Sequence, residues 1–140
     1  MERVCEVCFI GKPGKNETIR KNENAAEDRI QILHKIPHDG EVNRARHSPH
    51  EQNYIATRTP LGQVHIFNTH RIRKENMGPE IVLLGHNTEG YALEWNPHKA
   101  GMILAGSYDG KMSLWDIKHT ESKSSGSSDH FPISSYKFHS

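Results

Sequence analysis

His86, Ser107 and Asp109 are the residues of this chain whose types could do chemistry. A histidine set between a hydroxyl and a carboxylate is the arrangement that activates a serine nucleophile. Joined by Trp115, the same side chains can instead make a buried hydrogen-bond chain. Asp109 would accept from one imidazole nitrogen, the other nitrogen would meet the Ser107 hydroxyl, and that hydroxyl would accept from the Trp115 indole. Buried polar groups without such partners cost roughly 1–3 kcal/mol each. The setting decides between the two: LLGHNTEGYALEWNPHKAGMILAGSYDGKMSLWD holds Gly-His, Ser-Tyr-Asp-Gly and Trp-Asp at the joints of short apolar runs. We read His86, Ser107, Asp109 and Trp115 as a structural tetrad and assign no catalytic residue. No phosphate-binding loop or paired-carboxylate motif stands out.

The two cysteines, Cys5 and Cys8, are spaced as CxxC. A zinc site would need two further ligands, and no second CxxC or paired-histidine motif follows. A redox pair would want a βαβ setting that GKPGKNET does not offer. Reduced, incidental thiols are the expectation, and no metal or other cofactor is expected. The eleven histidines are scattered, and only His38 and His86 occupy matching repeat positions. Asn16-Glu17-Thr18 fits a glycosylation acceptor, which has meaning only on a secretory route.

With 18 basic and 17 acidic residues in 140, bulk charge points to neither a nucleic acid nor a membrane surface. Hydrophobic content is 34% and mean hydropathy −0.78, low for a self-sufficient core. No apolar run approaches a membrane span, and VCFIG is too short for a signal-peptide core. An intracellular, soluble protein is expected.

The elements that must position these residues come from a repeat. Residues 1–28 are polar and without sustained period, and we expect them to be mostly disordered, AAEDRIQ offering at most a helical turn. From Arg29 short strand-like runs alternate with Pro and Gly: RIQILHKI, YIATRTP, QVHIFN, IVLLG, MILAGSY and KMSLWDI. Sliding the chain by 48 residues sets His38 on His86, Glu41 on Glu89, Pro49 on Pro97, Ile55 on Ile103, Thr59 on Ser107, Gly62 on Gly110 and Phe67 on Trp115, with no gap. A period in the forties with four short strands per unit predicts blades of a β-propeller of the WD-repeat type.

Residues 38–68 form a degenerate repeat and 86–116 a well-formed one. In the first, Leu61 stands where Asp109 does and Phe67 where Trp115 does. That blade must therefore rely on Ile55, Val64, Ile66 and Phe67, and His38 must find another partner or face solvent. After Ile117, a Ser-rich loop leads to FPISSYKF, read as the outer strand of the second blade, and His139 sits where a third repeat would begin. Two blades leave open faces that neighbours should bury. The expected fold class is thus all-β: two WD-type blades of an incomplete propeller with disordered termini. The chain reads as a fragment, a truncated gene product, or blades completed by association, the first two being favoured.

DGEVNRAR (39–46), IATRTP (55–60) and LLGHNTEGYALEW (83–95) are more specific than the general WD pattern. There the sequence resembles the nuclear histone-binding WD-repeat family of the retinoblastoma-binding proteins and the small subunit of chromatin assembly factor. The resemblance runs from about Arg29 to Ile117, roughly two thirds of the chain, and implies the first two complete blades of seven. It implies an acidic top surface that takes basic peptides, histone tails among them, at the positions of Glu41, Asn43, Arg44, Glu89 and Tyr91. Carboxylates there would accept charge-assisted bonds from Arg or Lys, and Tyr91 would add a cation–π contact of about 0.5–2 kcal/mol. The family's long N-terminal helix has no match in residues 1–28, so its separate groove for a histone helix is not expected. His47 for an aromatic, Leu61 for a polar turn residue and Asn68 for Asp are further departures.

The expected function is a non-enzymatic, nuclear scaffold subunit of chromatin assembly, remodelling or deacetylase complexes, with histones or basic segments and complex subunits as partners. Neither sequence-specific nucleic-acid binding nor membrane association is expected. The alternative is a generic WD-repeat scaffold, or a truncated product without binding activity of its own.

Overall fold

The computed structural model describes residues 4–11, 31–72, 78–118 and 129–137. Among them are eleven strands and no helix. Strand β1 (Val4–Gly11) pairs antiparallel with β2 (Gln31–Asp39). A first blade follows from β3 (Arg44–His47), β4 (Tyr54–Arg58), β5 (Val64–Asn68) and β6 (Ile81–Leu83), in that order from inner to outer edge. The second blade is β7 (Leu93–Trp95), β8 (Met102–Gly106), β9 (Lys111–Asp116) and, at its outer edge, β11 (Ser134–Lys137). Between β9 and β11 the two-residue β10 (Asp129–His130) lies parallel to β6, on the first blade.

The 48-residue register holds at the level of individual hydrogen bonds. Ser48 N donates to Tyr54 O as Asn96 N donates to Met102 O, both at 2.8 Å. Thr59 N reaches Gln63 O at 3.0 Å and Ser107 N reaches Lys111 O at 3.1 Å. Thr69 N to Asn53 O and Ile117 N to Gly101 O, each 2.9 Å, close the two third strands alike. Side-chain turns repeat too: Ser48 Oγ accepts from the amides of His50 and Glu51, and Asn96 Oδ1 from those of His98 and Lys99. Asn68 Oδ1 accepts from His70 N as Asp116 Oδ1 accepts from Lys118 N, so the amide oxygen replaces the expected carboxylate without loss. The register fails only at the outer strand. Glu80 N and Ile133 N fill equivalent places on Ile66 O and Leu114 O, an offset of 53 that reflects the longer loop before β11.

Alternation along the middle strands builds the core. Ala56, Val64, Ile66 and Leu83 of the first blade pack with Leu93, Trp95, Ile103, Ala105 and Trp115 of the second. Each such side chain removes apolar area worth about 25 cal/mol per Å². The opposite face of the first blade is also covered. His38, at the end of β2, stacks near His65 and Phe67 with ring centroids 5.4 and 5.9 Å away. As the degenerate repeat required, Ile55, Val64, Ile66 and Phe67 are all buried.

The N-terminal expectation needs correcting. Val4–Gly11 is a strand paired with eight residues of β2 across one register shift, so residues 4–11 are not irregular as expected. The polar composition that follows hid a partner lying more than twenty residues downstream. The helical turn expected in AAEDRIQ, Asn16-Glu17-Thr18, the Ser-rich loop and His139 lie outside the described residues, as do the thiols of Cys5 and Cys8. Among the described residues no group of three or more His, Cys, Asp or Glu side chains could hold a metal ion.

The buried face under β2 makes stability depend on pH. Burial pushes the His65 imidazole down from 6.5 to about 4, His38 adding repulsion and Asp39 opposing it. Unfolding returns the ring to water, where it takes up a proton between about pH 6.5 and 4. Stability is therefore fully present above that window and falls as pH drops through it, by at most about 3 kcal/mol. Melting temperature measured from pH 7.5 to 4.5 should fall less steeply in His65→Phe than in the parent chain. Parallel curves would contradict the assignment.

Candidate functional site

The tetrad residues converge on the seam between the blades, but the expected hydrogen-bond chain does not form. His86 is buried, and its Nδ1 stands 3.9 Å from Asp109 Oδ1, beyond a hydrogen bond. Neither ring nitrogen has a hydrogen-bond partner. Burial pushes its pKa down, nearby Arg58 adding to the effect and the Asp109 carboxylate opposing it. Trp115 Nε1 donates to Leu84 O at 3.1 Å rather than to a hydroxyl. Ser107 is turned elsewhere. Its hydroxyl bonds the Thr88 hydroxyl at 2.7 Å and faces the carbonyls of Thr88 (2.8 Å) and Glu89 (3.1 Å).

The register explains the error. In the first blade His38 Nε2 meets the buried Thr57 hydroxyl at 2.9 Å, and its Nδ1 faces Gly40 O at 3.1 Å. Forty-eight residues after Thr57 comes Ala105, a methyl where His86 needs a hydroxyl. Ser107 lies past the end of β8, two residues too late to face the seam. Each blade thus keeps part of the network: the first has His and Thr without Asp and Trp, the second has His, Asp and Trp without the hydroxyl. Strand alternation from Ile103 through Ala105 was the signal that could have located the position.

Sequence reasoning also missed Arg58, wholly buried at the register position of Gly106. Its guanidinium donates to Gly62 O in its own blade and, at 3.3 Å, to Gly106 O in the next. Burial lowers its pKa, with the Asp109 carboxylate opposing. Gly90 is required beside it. A Cβ there would collide with the Gly106 carbonyl and lie 2.8 Å from the Ser107 Cα.

The five residues expected to take a peptide do come together, at the loops leading into the innermost strands. Asn43 Nδ2 donates to Glu89 Oε1 at 2.9 Å and to Gly90 O at 3.3 Å. Arg44 Nε donates to Tyr91 O at 3.1 Å. The Tyr91 hydroxyl faces Glu89 Oε1 at 3.4 Å, and that carboxylate is the main cause of its raised pKa, followed by burial, with Glu41 a smaller contributor. Ser107 and the Tyr108 amide, which donates to Glu89 O at 2.9 Å, hold the Glu89 backbone from the other side. Asn43 and Arg44 therefore fasten one blade's loop to the next, while Glu41, Glu89 and Tyr91 present side chains to solvent. Arg44 among the carboxylates leaves the rim mixed in charge rather than uniformly acidic. Tyr108 stands next to it, its ring centroid 6.1 Å from that of Tyr91.

Three substitutions test the divided network. Ala105→Ser supplies the missing hydroxyl and should raise the melting temperature by the equivalent of about 1 kcal/mol. Thr57→Ala should lower it by about 1–3 kcal/mol, because His38 loses its partner in a closed site. Trp115→Phe should also destabilise the chain through the unpaired Leu84 carbonyl. Thermal denaturation decides, and an Ala105→Ser chain no more stable than the parent counts against the assignment.

No protein-family model matches the chain. Histone acetyltransferase type B subunit 2 of Schizosaccharomyces pombe is 38% identical over 125 residues, covering 87% of this chain and 29% of that protein. The protein of the same name from Neurospora crassa is 42% identical over 99 residues, covering 69% of this chain and 22% of its own length. The chain thus spans about a quarter of the length of the curated relatives it matches. Among solved structures, the WD40 domain of Toxoplasma gondii coronin superposes with a TM-score of 0.59 at 23% identity, covering 74% of this chain and 25% of that one. That likeness fixes the fold as part of a WD-repeat β-propeller. Over the residues it spans, the chain belongs to the WD-repeat family of the histone acetyltransferase type B subunit 2 proteins.

Proposed function

We propose that the chain is part of a non-enzymatic, chromatin-associated nuclear scaffold whose rim of inner loops receives basic peptide segments, histone tails among them. The single observation that carries this reading is the fixed carboxylate of Glu89. It accepts from Asn43 on one side, while its backbone is held by Ser107 and Tyr108 on the other. A carboxylate oriented before binding loses little entropy when it accepts a guanidinium or ammonium. Glu41, its repeat equivalent, stands on the preceding loop and is exposed. Together the two space a pair of negative charges along the rim, matching a peptide with regularly placed Arg or Lys.

The relatives support the partner class, since they are named as subunits of a histone acetyltransferase. A binding rather than catalytic role is supported by the geometry at His86. Its nitrogens bond neither Ser107 nor Asp109, and the Ser107 hydroxyl is committed to a loop. On this reading the partners are histones or other basic segments and further subunits of chromatin-modifying complexes.

The test is capture of a basic histone-tail peptide by the intact protein carrying Glu41→Lys together with Glu89→Lys. Binding should be lost while the protein stays folded; Glu41 is exposed, and replacing the half-buried Glu89 releases one Asn43 hydrogen bond, lowering stability by about 1 kcal/mol. Undiminished capture by the double variant would favour a generic WD-repeat scaffold instead.

A further inference from the structure

The turn between β4 and β5 breaks a local rule that its counterpart in the second blade keeps. Thr59-Pro60-Leu61-Gly62 closes with Gly62 N donating to Thr59 O at 3.2 Å, and Ser107-Tyr108-Asp109-Gly110 with Gly110 N donating to Ser107 O at 3.1 Å. Both final glycines have positive φ, 93° and 73°. An aspartate at the third place caps the amide two residues on, as Asp109 Oδ1 does by accepting from Lys111 N at 2.9 Å. Leu61 has no acceptor to offer the Gln63 amide, and it is 75% exposed. Its exposure belongs to a closed seam, because the second blade lies directly beneath the turn. A Cβ on Gly62 would stand 2.6 Å from the His86 carbonyl oxygen and 2.9 Å from that of Thr88. From its own side the turn is held by Thr59 N on Gln63 O and by Arg58 on Gly62 O. Leu61 is therefore fixed in place, and the loop under it runs from Thr88 straight into Glu89.

We propose that Leu61 is a specificity-determining residue of the rim, the seat for an apolar side chain that neighbours the Arg or Lys taken by Glu89 in a partner peptide. The inference rests on the peptide-binding reading of Glu41 and Glu89. A leucine at this place forgoes a turn cap and leaves apolar area in water, two losses to the folded chain. An apolar side chain laid against it recovers the second. Because the turn is pinned before binding, the contact costs little ordering. Local rules of this kind are broken most often where a surface is used. The carboxylate and the leucine then divide the recognition. Glu89 attracts and places the cation, whereas Leu61 discriminates among basic segments by what stands beside the charge. The partner class narrows accordingly, from any run of Arg and Lys to a segment in which a leucine-sized side chain accompanies them.

Fluorescent peptides with two central arginines in a Gly-Ser background make the test. Each carries one leucine, placed in turn at the three positions on either side of the arginines, and a control carries none. Anisotropy titration of the full chain should show at least one leucine peptide binding about threefold or more tightly than the control. Leu61→Ser should erase that preference and Leu61→Met should keep it. Circular dichroism should show both variants folded, as the exposure of the side chain requires. Equal affinity of all the peptides, or a preference that survives in Leu61→Ser, overturns the role of Leu61 alone if Glu41→Lys with Glu89→Lys still abolishes binding. Self-association of the parent chain that sedimentation shows to be lost in Leu61→Ser assigns the residue to a contact between copies and overturns it too. Failure of every peptide to bind the parent chain overturns both readings.

Discussion

The two blades are held in register by a charge where none would ordinarily sit. Arg58 is fully enclosed at the seam, and its guanidinium spans from the Gly62 carbonyl of its own turn to the Gly106 carbonyl of the next blade. Removing a guanidinium from water is expensive, and it is tolerated where fixed acceptors replace the hydration shell. Here backbone carbonyls at the ends of the two β-turn connections take Nη1 and Nη2, while Nε has no partner among the described residues. Gly90 lets its loop press against the same Gly106 carbonyl, since a Cβ there would collide with it. The loop so placed carries Glu89 and Tyr91. The rim is therefore a consequence of how the seam closes.

A second consequence is the division of a polar network between blades. The usual four-residue chain fixes one blade internally, from loop to strand. In this chain each blade holds only part of it, and the unmet polarity of His86 and Asp109 lies next to the buried arginine. A separate set of hydrogen bonds runs between blades: Asn43 to Glu89, Arg44 to Tyr91, Trp95 to the Arg46 carbonyl at 3.0 Å. These bonds add cohesion at the joint between repeats, as suits an architecture whose stability includes nearest-neighbour interfaces.

Much of this was legible in the sequence. The 48-residue offset located the four strands β4, β5, β8 and β9, because their turn residues recur with them. It also set Glu41 and Glu89 at equivalent loops, whereas Asn43, Arg44 and Tyr91 were marked by the family resemblance. Ser107 was misread because a hydroxyl between Gly106 and Asp109 fits the pattern of types, whereas facing the seam depends on the two-residue alternation of β8, where Ala105 holds the place. Arg58 was not legible at all, since arginine is almost never fully enclosed and nothing local marks the exception. Strand β1 escaped for a different reason. An eight-residue run with one CxxC gives no sign of a partner beyond a long polar stretch, and pairing at that separation is set by tertiary contact.

The route of the chain after β9 has mechanical meaning. Instead of turning straight back to complete its own blade, it first runs beside β6 at Asp129–His130 and only then returns to pair with β9. The last strand is thus laced through the neighbour it leaves behind. A pull on the chain beyond Lys137 would load the outer edges of both sheets together, and peeling β11 would draw on the seam as well as on one sheet. The pair of blades behaves as one load-bearing unit, a property that belongs to the lacing and to neither repeat by itself.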